Sequence, residues 1–243
     1  MARFSMEIAG KAILVSPLFE STAYYCQKYR TDKTPVVEIR VTREDLEREQ
    51  QLLLEEALRE GIRPRTFPEP FLERSVIQRK TAKALLAWDI LMVHGSTVAV
   101  DGKAYLFAAA CGTGKSTHTR LWRQVFGQRA VMVNDDKPFL RLEKGTVFAC
   151  GAPWSGKHGL DTNLAVPLAG ICILERGQEN RIAPIAAEEA QPLLEDHWDL
   201  TPFPAETWKP LIHRVCQSVP VWQMQCNRDP EAAEVAYGSM KTT

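Results

Sequence analysis

Gly112-Thr113-Gly114-Lys115-Ser116 is the run best suited to chemistry in this 243-residue chain. Glycines let backbone N–H groups converge on a polyphosphate, a lysine supplies a cation, and a serine hydroxyl can hold Mg²⁺. The apolar residues ending at Ala109 read as a strand. His118–Phe126 reads as a helix, whose positive end adds to an anion site. The spacing predicts that Ala110, Cys111, Gly112, Thr113, Gly114, Lys115, Ser116 and Thr117 line a nucleotide's phosphates. The full phosphate-loop pattern places glycine where this chain has Ala109, so only the functional core of the motif is intact. Cys111 lies inside the loop, where oxidation of its thiol would disturb phosphate binding.

Asp135 and Asp136 end a short apolar strand, Ala130–Val133. That end of the strands is where ligands bind in α/β sheets. One carboxylate would hold Mg²⁺, directly or through water, and the other would accept a proton from an attacking hydroxyl. Gly151–Asp161 carries three glycines, a proline, a tryptophan and Lys157-His158. It reads as a flexible cationic lid in which Lys157 neutralises a transferred group. His94 taken alone reads as a partly buried histidine with a satisfied ring.

The elements that must position these residues follow from turn chemistry and apolar spacing. Asp101-Gly102 predicts a tight hairpin between Ser96–Val100 and Lys103–Ala109, so the strand entering the loop is antiparallel to its predecessor and the sheet is mixed. Lys144-Gly145 predicts another hairpin, and Gly170–Leu174 a buried strand. Ahead of this core, Met6–Val15 and Pro35–Val41 read as strands. Thr42 with Asp45 opens a helix that carries a stripe of Leu46, Leu53, Leu54, Ala57 and Leu58 and stops at Gly61. A second helix is expected from Phe71 to about Val93, with Arg74, Arg79, Lys80 and Lys83 on a solvated face. The organisation expected is an α+β region over 1–93 and a nucleotide-binding catalytic domain over 94–243.

Thirty basic residues balance thirty acidic ones, which argues against a nucleic-acid or membrane-surface partner, so any phosphate affinity must be local. No apolar run reaches a membrane span and no export signal opens the chain. The six cysteines form no Cys-x-x-Cys pair, which suits reduced thiols in the cytoplasm.

His94-Gly95-Ser96, the strand pair about Asp101-Gly102, the loop Gly112–Ser116 and Asp135-Asp136 resemble, in order and approximate spacing, the catalytic domain of HPr kinase/phosphorylase. That domain is in turn similar to the nucleotide site of phosphoenolpyruvate carboxykinase. The likeness spans roughly residues 94 to 175. It implies a mixed-sheet α/β phosphate-loop core, ATP with Mg²⁺, and phosphoryl transfer to a serine hydroxyl. On that resemblance Asp135 is the base (the acid in reverse), Asp136 assists at the metal, Ser116 is a metal ligand and His94 touches the transferring phosphate. The acidic residue common after Gly-Lys-Ser is Thr117 here, and the family's Glu-x-Arg-Gly signature is missing. Phe148–Gly151 and Trp154–Lys157 stand near its place, and the acceptor is left open. The expectation is a kinase acting on a hydroxyl of a protein, peptide or small molecule, a homo-oligomer being compatible with it. The alternative is a regulatory module that binds nucleotide without catalysis.

Overall fold

The computed structural model describes residues 3–59, 61, 63–198, 200 and 203–241. The chain divides into two compact units, Met1–Leu85 and Leu86–Thr243. The division falls earlier than the 93/94 position read from the sequence, because part of the helix expected to reach Val93 is a strand of the second unit. Asp89, at φ +56, lies in the left-handed region between the helix and that strand.

The first unit holds a three-stranded sheet of β1 (Phe4–Ile8), β2 (Lys11–Ser16) and β3 (Val37–Arg40). β1 and β2 are antiparallel, and β2 and β3 are parallel. What reads in sequence as one strand over Met6–Val15 is a hairpin. Ala9 and Gly10 turn it at φ +50 and +82. Three helices follow or intervene: α1 (Glu20–Tyr25), α2 (Arg43–Arg59) and α3 (Glu69–Leu85). The Thr42/Asp45 capping box forms. The Thr42 N–H donates to Asp45 Oδ2 at 2.8 Å, and the Asp45 N–H donates to Thr42 Oγ1 at 3.2 Å. The leucine stripe of α2 is only partly buried, and Leu58 is exposed.

The basic residues of α3 are engaged rather than simply solvated. Arg79 donates to both oxygens of buried Glu49 at 2.9 and 3.0 Å and to Glu56 at 2.8 Å, and Lys80 donates to Asp45 at 2.7 Å. Glu73 is fully buried and accepts from the Leu18 and Phe19 N–H groups and the Thr22 hydroxyl, anchoring the start of α1.

The second unit is an α/β arrangement on a mixed sheet of nine strands among the described residues. In chain order they are β4 (Ile90–Met92), β5 (Ser96–Val100), β6 (Lys103–Ala108), β7 (Ala130–Asn134), β8 (Phe139–Glu143), β9 (Thr146–Cys150), β10 (Ala165–Arg176), β11 (Arg181–Ile185) and β12 (Val221–Cys226). Its helices are α4 (Lys115–Phe126), α5 (Ala187–Trp198), α6 (Ala205–Ser218) and α7 (Glu231–Met240). The sheet order runs β4-β8-β9-β10-β6-β5-β7, while β12 joins β10 and β11 joins β12. Both expected hairpins turn through paired positive φ values, +52 and +78 at Asp101-Gly102, +49 and +82 at Lys144-Gly145.

β6 explains the layering. Ala104, Leu106 and Ala108 pack in one core with residues of α5 and α6, such as Leu194 and Ile212. Tyr105, Phe107 and Ala109 pack in the other with Trp122 of α4 and Ala236 of α7. A strand covered on both faces needs a continuous apolar run, and Ala104–Ala108 is buried throughout.

The pairing directions define the working edge. β6, β10 and β12 are mutually parallel, and β5 runs antiparallel to both β6 and β7. The C-terminal ends of β7, β6, β10 and β12 therefore share one edge with the start of β5. That edge carries Asp135-Asp136, the glycine loop, Arg176 and Ser96.

Candidate functional site

The glycine loop leaves β6 and enters α4 at Lys115. Gly112 and Gly114 stand at φ +75 and +133, conformations that a side chain would strain. Ala109 is buried and is not among the residues with positive φ, so alanine serves at the first position of the motif. No side chain caps α4, whose N-cap is Gly114, so its first-turn N–H groups face the loop. Lys115 is only 9% exposed, and its Nζ donates to the Ala109 carbonyl at 2.8 Å. Burial pulls its pKa below the ordinary lysine value. Arg176, at the end of β10, donates to the Gly112 carbonyl at 2.6 Å from the far side of the loop.

The carboxylates reach this loop through β5, which lies between β6 and β7. Ser96 Oγ donates to Asp135 Oδ1 at 2.7 Å, and its single proton being so used, it accepts from Thr119 Oγ1 of α4 at 2.8 Å. All three groups are buried. Two hydrogen bonds thus tie Asp135 to the helix that carries Lys115 and Ser116.

Asp136 is more accessible. Burial raises its pKa, Lys137 and Lys115 pull it back, and the Asp135 charge pushes it up again. His94 Nε2 lies 3.4 Å from Asp136 Oδ1. Burial, with help from Lys137, Lys115 and His197, drives the His94 pKa down to about 3. The imidazole is neutral at physiological pH, so this contact is not an ion pair.

Asn134 organises the third part. It is fully buried; its amide donates to the Ala152 carbonyl at 2.8 Å and the Trp154 carbonyl at 3.2 Å. Its Oδ1 accepts from the N–H groups of Asp136 at 2.8 Å and Lys137 at 2.7 Å. One side chain therefore fixes both the carboxylate turn and the start of the Gly151–Asp161 segment. That segment is not the free surface loop its composition suggests. Residues 151–155 are buried, Ser155 donates to Asp161 at 2.8 Å, and only 156–159 are exposed. Gly156 lies over Asp136, so close that a Cβ there would stand 3.1 Å from the Asp136 Cβ. Lys157 follows it and is exposed.

The structure thus brings Lys115, Ser116, Asp135, Asp136 and His94 to one edge, with residues 110–114 forming the loop, Lys115, Ser116 and Thr117 in the first turn of α4, and Lys157 next to Gly156 over Asp136. Four residues that sequence reasoning left without a role join them: Ser96, Asn134, Lys137 and Arg176. Lys137 was signalled by its place beside the aspartates. Arg176 carried no signal, because only the β10–β6 pairing brings it to the loop. The oxygen donors here, the Ser116 hydroxyl and the aspartates, suit a hard cation shared with phosphate and water. Among the described residues no group of three or more His, Cys, Asp or Glu is placed to hold a metal, and no helix is long and apolar enough to cross a membrane.

No protein-family model matches the chain, and no curated protein matches it. Among solved structures, the HPr(Ser) kinase/phosphatase from Coxiella burnetii is similar over 61% of this chain and 95% of that chain. The sequence identity is 10% and the TM-score 0.36. A likeness that loose assigns no activity.

Proposed function

We propose that this protein is an ATP- and Mg²⁺-dependent phosphotransferase that moves a γ-phosphoryl group onto a hydroxyl, with a serine of a protein or peptide as the acceptor. Its second unit would then be a nucleotide core of the HPr kinase and phosphoenolpyruvate carboxykinase type. The observation that carries this reading is the Asp135–Ser96–Thr119 bridge, which joins a buried carboxylate to the first turns of the phosphate-loop helix.

Loop N–H groups and Lys115 would receive the β- and γ-phosphates, Lys115 exchanging its hold on the Ala109 carbonyl for phosphate oxygen. Ser116 and Asp136 would hold Mg²⁺, which when bound neutralises phosphate charge. Asp135 would take the acceptor's proton as the hydroxyl oxygen bonds to phosphorus and the bond to the β-phosphate oxygen breaks, leaving ADP. Neutral His94 can donate to a phosphoryl oxygen without adding charge, and the exposed Lys157, next to Gly156 over Asp136, would neutralise the transferred group. A second assignment has its own support: Asp136 is the more exposed carboxylate and its proton affinity is raised, as a base requires.

The test is label transfer from γ-labelled ATP to fractionated cytosol, followed by asking whether label enters a protein, a peptide or a metabolite. Asp135→Asn should keep nucleotide affinity and lose roughly 10²–10⁴-fold in transfer. Full transfer by that variant would move the base to Asp136. Nucleotide binding without transfer by the wild type would leave the regulatory module as the reading.

A further inference from the structure

β10 runs on past the strand it flanks. Its pairing with β6 ends at Ile173 and Ala108, yet it continues to Arg176, whose partner in β12 is Cys226. At about 3.3 Å per residue, the three further residues carry Arg176 roughly 10 Å beyond the last pair with β6. The Gly177 N–H donates to the Cys226 carbonyl at 2.9 Å, which ties this overhang to β12. Alternation along the strand sends Cys172, Leu174 and Arg176 to the face covered by α4, the helix into which the glycine loop runs.

From there the guanidinium holds two successive peptide units of the loop. Nη2 donates to the Gly112 carbonyl at 2.6 Å and Nε to the Thr113 carbonyl at 3.4 Å. In a trans peptide the carbonyl and the N–H that follows it point to opposite sides. A bond to the Thr113 oxygen therefore turns the Gly114 N–H away from Arg176. The sheet order places β10 on one side of β6, and β5 and β7, with the aspartates, on the other. The Thr113 N–H is spent inside the loop, on the Ala110 carbonyl at 3.2 Å.

Little else fixes that orientation. Residues 110–112 are exposed, and a Cβ at Gly112 or Gly114 would meet no non-neighbouring atom within 4 Å. The loop's shape therefore rests on hydrogen bonds, and two cationic side chains supply them. Lys115 holds the Ala109 carbonyl at 2.8 Å, the bond that a bound phosphate would replace. Arg176 holds its carbonyls from the opposite side, so its grip does not depend on whether a ligand is present. A planar fork can take two carbonyls at once, which the point charge of a lysine cannot.

We propose that Arg176 is a positioning residue of the phosphate loop, holding the Gly112 and Thr113 carbonyls toward β10 so that the Gly114 N–H is preset for a ligand's phosphate. This rests on the proposal that the loop binds the phosphates of a nucleoside triphosphate. A preset donor spares the ligand the cost of turning the peptide over, so the gain is the same for any polyphosphate, whatever base it carries.

Calorimetric titration with Mg²⁺ and either ATP or inorganic tripolyphosphate tests it on wild type, Arg176→Met and Arg176→Lys. ¹H–¹⁵N spectra of the ligand-free proteins follow the Gly114 amide. Arg176→Met should bind both ligands about tenfold more weakly, tenfold being about 1.4 kcal/mol. Its Gly114 signal should shift or broaden while its urea midpoint stays that of wild type. Arg176→Lys keeps the charge without the fork and should bind no more than about threefold better than Arg176→Met. Arg176 is exposed, so both variants should fold. If the methionine variant does not, Arg176→Lys decides alone, by binding both ligands more weakly than wild type or equally well. Undiminished binding by Arg176→Met, an unmoved Gly114 signal, or full recovery by lysine would overturn the positioning role while leaving the phosphate loop standing. Failure of wild type to bind either ligand would overturn both.

Discussion

The two units handle buried charge in opposite ways. Among the described residues of the first, both buried carboxylates are answered. Glu49 receives both arms of Arg79, and Glu73 receives two backbone N–H groups and a hydroxyl. In the second, the charged edge is held apart from its best partners. Lys115 rests on a carbonyl of its own loop, Asp136 faces a neutral imidazole, and Asp135 is bonded to a serine. Satisfied charge stabilises a fold, whereas charge supplied only with weak partners is available to a ligand.

Two substitutions set the units against each other. On the proposed function, Lys115→Ala should lower phosphoryl transfer by about 10²–10³-fold, because a cation at the developing charge would be lost. Urea unfolding of that variant should show stability unchanged or raised, since a desolvated ammonium has been removed. Arg79→Ala should do the reverse. It strands Glu49 inside the first unit and should cost about 3 kcal/mol in urea unfolding, with nucleotide affinity intact. If Lys115→Ala unfolds the protein while Arg79→Ala abolishes binding, the contrast is broken.

Acid sharpens the comparison further. His94 titrates near 6.5 when unfolded but near 3 when folded. Between those values the unfolded chain gains a proton that the folded one does not, so this contribution to stability is whole above pH 6.5 and shrinks as pH falls toward 3. His118, held near 4, acts in the same sense. His94→Gln should give a shallower loss of stability between pH 6.5 and 4, measured by urea midpoints; an unchanged slope would show that the imidazole is not buried neutral. The smallest effect expected is at the capping box of the first unit, where Thr42→Ala should cost about 1 kcal/mol and leave transfer unaltered.

What the sequence made legible was local. The glycine loop, the two type I′ turns and the Thr42/Asp45 cap each declare themselves within a few residues, and each formed. The hairpin at Ala9-Gly10 formed without declaring itself, because alanine at positive φ is uncommon and gives no turn signal. The helix ending at Leu85 was overrun because the apolar residues after it contain neither glycine nor proline, and the break falls on Asp89, a residue type that tolerates the left-handed region. The site's candidates were visible as residue types, yet their connections were not. Ser96 meets Asp135 only because β5 lies between β6 and β7, and Arg176 meets the loop only because β10 lies on the other side of β6. Strand order of that kind comes from packing on both faces of the sheet, which no short window contains.

The bond from Lys115 to the Ala109 carbonyl has a consequence for selectivity among anions. An anion that takes Lys115 Nζ from that carbonyl would first have to break the bond, which multiplies the dissociation constant of each such anion by the same factor. For a solute already present below its dissociation constant, that factor removes nearly all occupancy. One present in large excess stays saturating and hardly notices. If the loop is the phosphate cradle proposed above, a latch of this type would filter by abundance and grip together, favouring a strongly held polyanion over chloride and simple phosphates.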